Sequence, residues 1–91
     1  MKLLFSSRFA RLYKKFSPSE QEDIDANVRR LMLFFLEGQR PLGLGVRQLR
    51  GEIWELRVGL KLRIVFSMEK DIVKILTLGS HDDIRKFLKQ G

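Results

Sequence analysis

Four residues in the C-terminal half of the chain have the types that phosphodiester chemistry uses. Glu55 and Arg57 lie two residues apart in a stretch that alternates apolar and polar residues, as a half-buried strand does. Arg63 is a polar position of the next such stretch, and His81 follows just past the third. Because side chains alternate between the two faces of a strand, Glu55, Arg57 and Arg63 are predicted to converge on one surface, with Arg63 and His81 at the exposed rim of the sheet.

Such a surface has the groups for metal-free cleavage of RNA. The ribose 2′-hydroxyl can attack its own phosphate if a base takes its proton, cations stabilise the charge on phosphorus and an acid protonates the 5′-oxygen. An imidazole such as that of His81 is the natural acid near neutral pH. Two plainer interpretations stay open: His81 is an exposed loop residue or helix cap, and Glu55 forms only surface ion pairs with the arginines, worth under ~1 kcal/mol.

The composition limits the classes of protein to which this chain can belong. The chain has 91 residues, a net charge of +7, one histidine and no cysteine. We expect one domain over residues 1–91, no disulfide, no cofactor and no metal centre of the multi-histidine or thiolate type. The charge predicts an anionic partner. No apolar run approaches the roughly 18 residues of a membrane span, the start does not resemble a secretory signal, and a cytoplasmic location is expected.

The first half of the chain predicts a short strand followed by two helices. Lys2–Phe5 reads as the strand, and Ser6-Ser7 as the cap of the first helix. Ser17-Pro18-Ser19-Glu20 has the pattern of a capping box and begins a longer amphipathic helix, which Gly38 and Pro41 should end. We expect the two helices to form a hairpin that lies across a sheet.

The second half predicts an open loop, three strands and a closing helix. Residues 39–51 are rich in glycine and read as an extended loop, and the antiparallel meander that follows turns at residues 59–61 and 69–71. Thr77 is expected in phase with Val73 and Ile75, and Asp82-Asp83 in the first turn of the last helix. The fold class is α+β, in the order β-α-α-β-β-β-α with a mostly antiparallel twisted sheet. Its core should pair two sets of residues: Trp54, Leu56, Leu62, Ile64 and Phe66 against Ile24, Val28, Leu31 and Phe35.

Three segments, taken with this order of elements, resemble the RelE/ParE superfamily of bacterial toxins over nearly the whole chain. They are Leu49–Arg57, Leu62–Phe66 and Gly79–Asp83, the last similar to the Gly-Ser/Thr-His segment of YafQ-like members. The resemblance implies the toxin of a type II toxin–antitoxin pair. Such a toxin is an mRNA interferase, which cleaves message in the ribosomal A site and is held inactive by a cognate antitoxin.

The resemblance also implies roles for single residues. Arg63 would stabilise the phosphate, His81 would be the general acid, Arg57 would add a cation, Glu55 would be the base and Phe87 would stack on a nucleobase. The remaining cations expected to contact phosphates are Arg47, Arg50, Lys61 and Lys86. The sequence departs from the family pattern in having no second histidine, a displaced terminal aromatic residue and Phe66 where a tyrosine is usual. Two alternatives therefore stay open: a ParE-like inhibitor of DNA gyrase without nuclease activity, and a catalytically degenerate RNA-binding member.

Overall fold

The helices and strands follow the local sequence patterns closely, with one additional strand. The computed structural model describes residues 2–37 and 45–90. Its elements in chain order are β1 (Lys2–Phe5), α1 (Ser7–Tyr13), α2 (Pro18–Glu37), β2 (Gly45–Arg50), β3 (Ile53–Val58), β4 (Leu62–Glu69), β5 (Ile72–Gly79) and α3 (His81–Gln90). Within these residues no helix is long and apolar enough to cross a membrane.

The five strands form one sheet in the order β1-β5-β4-β3-β2. β1 runs parallel to β5, and all other neighbours are antiparallel, which confirms the predicted α+β class and mostly antiparallel sheet. The predicted loop at residues 39–51 is wrong for Gly45–Arg50, which forms the edge strand β2. The expected helix end at Gly38 and Pro41 lies outside the described residues.

Side-chain caps begin the first two helices, because each first turn has backbone N–H groups without helical partners. At α2 the Ser17 N–H donates to Glu20 Oε1 (2.9 Å), and the Glu20 N–H donates to Ser17 Oγ (3.2 Å). The same backbone and hydroxyl groups of Ser17 lower the pKa of Glu20. At α1 the Phe9 N–H donates to Ser6 Oγ at 3.0 Å, so both predicted helix starts are confirmed.

The apolar core lies between one face of the sheet and the two N-terminal helices. Leu56, Ile64 and Phe66 of the sheet are fully buried together with Ile24 and Leu31 of α2. The other predicted core residues either belong to this cluster or pack against it: Val28, Phe35, Trp54 and Leu62. The predicted core pairing is confirmed.

A β-bulge in β5 changes which face its last residues occupy. Val65 pairs with Thr77, whereas the next residue, Phe66, pairs with Ile75, so Leu76 is the extra residue of the bulge. One extra residue reverses the alternation beyond it. The expectation that Thr77 is in phase with Ile75 is therefore wrong, since Thr77 lies on the face away from α2.

Helix α3 covers that second face. It contacts β4 and β5, and Ile84 is its buried residue. The Ser80 N–H donates to Asp83 Oδ2 (2.9 Å) and the Asp83 N–H to Ser80 Oγ (3.2 Å), so Asp83 lies in the predicted first turn as part of a capping box. A Cβ atom at Gly79 would lie 2.7 Å from Asp83 Cβ, so glycine is needed where β5 passes into α3.

Replacement of Asp83 by asparagine is expected to destabilise the protein only where the carboxylate is ionised. The backbone N–H and the hydroxyl of Ser80 lower the pKa of Asp83 from its ordinary value of 3.8. A lowered folded-state pKa gives stability that is present above the unfolded-state value and is lost as the pH falls through the folded-state value. Since Asp83 is exposed and screened by solvent, we expect a cost of about 0.5 kcal/mol at pH 7.

Urea unfolding of the wild type and of Asp83→Asn at pH 7 and pH 3 measures this effect. The difference in the free energy of unfolding between the two proteins should be smaller at pH 3 than at pH 7. Asp82→Asn is the matched control, because Asp82 shares the first turn but makes no capping hydrogen bond within residues 2–37 and 45–90. If Asp83→Asn lost the same free energy of unfolding at both pH values, stabilisation of the helix by the ionised carboxylate would be contradicted.

Candidate functional site

A buried glutamate joins two arginines on the face of the sheet away from α2. Arg63 Nη1 lies 2.9 Å from Glu55 Oε1, and Arg47 Nη2 lies 3.2 Å from Glu55 Oε2. Glu55 is 4% exposed, and the side chains of Arg63 and Arg47 are 18% and 67% exposed. Together with the exposed Arg57, these residues form what we call the arginine face.

Strand register brings the arginine face together. Glu55 pairs with Arg47 on β2 and with Val65 on β4, and Arg57 pairs with Arg63. Paired residues project to the same side of a sheet, so the predicted shared face of Glu55, Arg57 and Arg63 is confirmed. The chemical roles of these residues stay predictions.

The structure corrects the expected environment of Arg63. The sequence pattern predicts an exposed position at the rim of the sheet, whereas the side chain of Arg63 is mostly buried and hydrogen-bonded to Glu55. The reason is that Arg63 on β4 reaches its diagonal neighbour on β3, Glu55. Arg47 on β2 contacts the same carboxylate from the other side. Arg63 therefore has a structural partner in addition to any ligand.

His81 is the first residue of α3 and is exposed. It follows Gly79 by two residues, and Gly79 pairs with Arg63 in the sheet. The imidazole and Arg63 are therefore at the same end of β5. The turn that contains the exposed Lys61 connects β3 to β4 at this same end.

The other residues predicted to contact RNA differ in the contacts that they already make within the protein. Lys86 is exposed on α3. Arg50 is also exposed, but its Nη2 donates to the Leu88 carbonyl oxygen at 2.8 Å and so holds the last turn of α3. Phe87 is half-buried, and the guanidinium carbon of Arg8 lies 5.2 Å from the centre of its ring. Stacking of Phe87 on a nucleobase stays a prediction, with Arg8 over the ring in this structure.

Sequence reasoning missed Arg8. Its Nε also donates to Thr77 Oγ1 at 3.1 Å, so one side chain joins the start of α1 to β5 and α3. The partners are 69 and 79 positions away in the sequence, and Thr77 is available only because the bulge turns it to this face. No local pattern in the sequence could have indicated these contacts.

An apolar groove of about 610 Å³ lies elsewhere, between β1, α1 and α2. Its floor is formed by residues such as Leu3, Phe9 and Ile24. At one side the Tyr13 hydroxyl donates to Asp25 Oδ1 at 2.8 Å, and this bond raises the pKa of Tyr13. Across residues 2–37 and 45–90 no group of three or more acidic or imidazole side chains could hold a metal ion.

Comparison with known proteins identifies the fold through structure alone. No protein-family profile matches the sequence, and no curated protein matches it significantly. A chain of the RelB-RelE antitoxin–toxin complex from Methanococcus jannaschii superposes with a TM-score of 0.71 at 16% identity, covering 92% of this chain and 96% of that one. A chain of the DinJ-YafQ toxin–antitoxin complex from E. coli superposes with a TM-score of 0.65 at 14% identity, covering 91% of this chain and 94% of that one.

A third match is the YoeB dimer from Staphylococcus aureus, with a TM-score of 0.67 and 18% identity over 89% of this chain and 97% of that one. At these identities the shared property is the fold. The chain spans nearly the whole length of these RelE, YafQ and YoeB structures, and the expected fold is confirmed.

Proposed function

We propose that this chain is the toxin of a type II toxin–antitoxin pair and acts as a metal-independent endoribonuclease on messenger RNA in the ribosome. The observation that carries the proposal is the arginine face, with a guanidinium group held on a buried carboxylate and an exposed imidazole at the same end of the sheet. The toxin fold of the structural neighbours supports it.

In the proposed reaction the 2′-hydroxyl loses its proton to solvent water, the 2′-oxygen forms a bond to phosphorus, and the bond from phosphorus to the 5′-oxygen breaks, which leaves a 2′,3′-cyclic phosphate. Arg63 donates hydrogen bonds to the phosphate oxygens as negative charge builds on them. His81, as imidazolium, gives its proton to the departing 5′-oxygen. Arg57 and Arg47 are exposed cations that draw the RNA backbone towards this face.

The proposed regulator is a cognate antitoxin. Two of the neighbouring structures are complexes with an antitoxin, RelB in one and DinJ in the other. For this chain we propose an acidic or amphipathic antitoxin segment that lies over the arginine face and blocks entry to the ribosome.

A second function, RNA binding without cleavage, is favoured by one observation. Both carboxylate oxygens of Glu55 are already paired with arginines, Oε1 by a hydrogen bond from Arg63 and Oε2 by an ion pair with Arg47, so the arginine face offers no unpaired carboxylate. A protein of this kind would bind ribosomal RNA or message through its cations and leave the phosphodiester bonds intact.

Induced expression followed by mapping of message 5′ ends tests the proposed function. We expect growth arrest and new 5′ ends inside coding sequences within minutes, with DNA supercoiling unchanged. Arrest with intact message and altered supercoiling would overturn the proposal in favour of gyrase inhibition. Arrest with intact message, unchanged supercoiling and ribosome association would favour the RNA-binding function.

Ribosome association should weaken steeply as salt rises, because each phosphate contact releases counterions. Arg57→Ala and Lys61→Ala should each reduce the slope of log affinity against log salt by about one. Arg50→Ala is less informative, since Arg50 also bonds the Leu88 carbonyl oxygen. Co-sedimentation with ribosomes over a salt series is the measurement.

The matched control for this series is Lys15→Ala, which removes an exposed cation from the turn between α1 and α2. It should leave the slope unchanged, because that turn is part of the helical hairpin and not of the arginine face. Equal losses from Lys15→Ala and Arg57→Ala would show that attraction is spread over the whole surface and that this face does not direct binding.

A further inference from the structure

We infer that Glu55 is a positioning residue: its buried carboxylate holds Arg63 in the orientation that receives the scissile phosphate, and it does not accept the 2′-hydroxyl proton. This inference rests on the proposed function and revises the role of base that the family resemblance implies for Glu55. The proton of the 2′-hydroxyl then passes to a water molecule in the open site.

Access to the carboxylate argues against a role as base. Glu55 is 4% exposed, and a general base must come within about 3 Å of the proton that it removes. Oε1 accepts a hydrogen bond from Arg63, and Oε2 forms an ion pair with Arg47 at 3.2 Å, so each oxygen faces a guanidinium group. A ribose hydroxyl would have to displace Arg63 from a charge-assisted hydrogen bond to reach Oε1, or Arg47 from an ion pair to reach Oε2.

Electrostatics explains why a carboxylate is needed at this position. Arg57 and Arg63 are directly opposite each other on neighbouring strands, and Arg47 approaches from the next strand. Like charges in such positions repel, and without a counter-ion the guanidinium groups would separate into solvent. The negative charge of Glu55 offsets one of these three positive charges and holds the guanidinium groups of Arg63 and Arg47 close together.

Arg63 keeps most of its donors while it is held. A guanidinium group has five N–H donors, and within the described residues Glu55 receives one bond, from Nη1. The remaining donors are free of protein partners in that part of the chain and can bind phosphate oxygens. A guanidinium group that one hydrogen bond already holds in place loses less conformational entropy when phosphate binds. It therefore stabilises the transition state more than a mobile guanidinium group does.

Glu55→Gln separates positioning from proton transfer. Glutamine has the same shape and can accept one guanidinium hydrogen bond, but it cannot serve as a base. A positioning role predicts that single-turnover cleavage on programmed ribosomes slows by only about ten-fold and that the pH–rate profile keeps its wild-type shape, because Glu55 gains no proton during the reaction. A loss of 10²-fold or more together with a changed shape of the pH–rate profile would assign Glu55 as the base and overturn the inference.

Side-chain NMR of ¹⁵N-labelled arginine provides a readout that does not depend on cleavage. We expect the Arg63 guanidinium N–H signals of the wild type to exchange with solvent more slowly than those of Arg57, and this protection to fall in Glu55→Gln. Arg47→Ala, the control, removes only the more exposed partner and should leave the Arg63 signals protected.

The two readouts keep the inference separate from the proposed function. If the wild type does not cleave message, the nuclease proposal fails, while the NMR comparison still tests whether Glu55 holds Arg63. If Glu55→Gln does not fold, the wild-type spectrum remains a test. Equal solvent exchange of the Arg57 and Arg63 signals would overturn the inference in either case.

Discussion

His81→Ala and Arg63→Ala are each expected to abolish growth arrest on induction and to slow message cleavage by about 10²-fold or more. A positioned acid contributes about 10²–10⁴-fold to such a step, and one preorganised donor to the developing negative charge about 10²–10³-fold. In the proposed reaction each residue supplies one of these contributions. Single-turnover cleavage of message on ribosomes measures both.

The stability of the two variants should differ. His81 is exposed, so its replacement should change the free energy of unfolding by within roughly 0.5 kcal/mol. Arg63→Ala leaves the buried Glu55 with Arg47 alone, and we expect it to cost about 1–3 kcal/mol. His81→Ala is therefore the cleaner test of chemistry, and urea unfolding must accompany both variants.

Lys89→Ala serves as the matched control, since Lys89 is an exposed residue in the last turn of the same helix as His81. It should retain full toxicity. If His81→Ala and a folded Arg63→Ala protein both remain fully toxic, the arginine face is not the nuclease site.

Phe66→Ala is expected to have the largest effect on stability, about 3–5 kcal/mol. Phe66 is fully buried in the core, and its ring meets that of Phe35 edge-on, with 6.2 Å between ring centres. Phe35 itself is only partly buried, so Phe35→Ala should cost less, about 1–3 kcal/mol. Urea unfolding measured by Trp54 fluorescence gives these values.

Leu36→Ala is the control for the core, because Leu36 is adjacent to Phe35 in the chain but is 66% exposed. Its replacement should change stability by within roughly 0.5 kcal/mol. A domain of this kind has about 5–15 kcal/mol of stability in total, so Phe66→Ala should be partly unfolded near the lower limit. A cost for Phe66→Ala no larger than that for Leu36→Ala would contradict the core described above.

Features that depend on neighbouring residues could be predicted from the sequence. The capping box of Ser17 and Glu20 requires a spacing of three, and the spacing is visible in the sequence. Alternation along β3 and β4 placed Glu55 and Arg63 on one face and Leu56 and Ile64 on the other, because adjacent side chains of a strand must point to opposite sides. Hence the fold class, the core and the shared face of the predicted site were all predictable.

Only the tertiary structure decided how those residues are paired. β2 has no strong strand signal of its own and forms by pairing with β3, which brings Arg47 to Glu55. The bulge at Leu76 reverses the alternation in β5, and that reversal takes Thr77 to the second face, where Arg8 reaches it from α1. These contacts join residues far apart in the chain, and their geometry depends on strand register and on the one-residue bulge. The sequence alone thus determined that Glu55, Arg57 and Arg63 share one face, and the tertiary structure added Arg47 to that face and buried its carboxylate between two arginines.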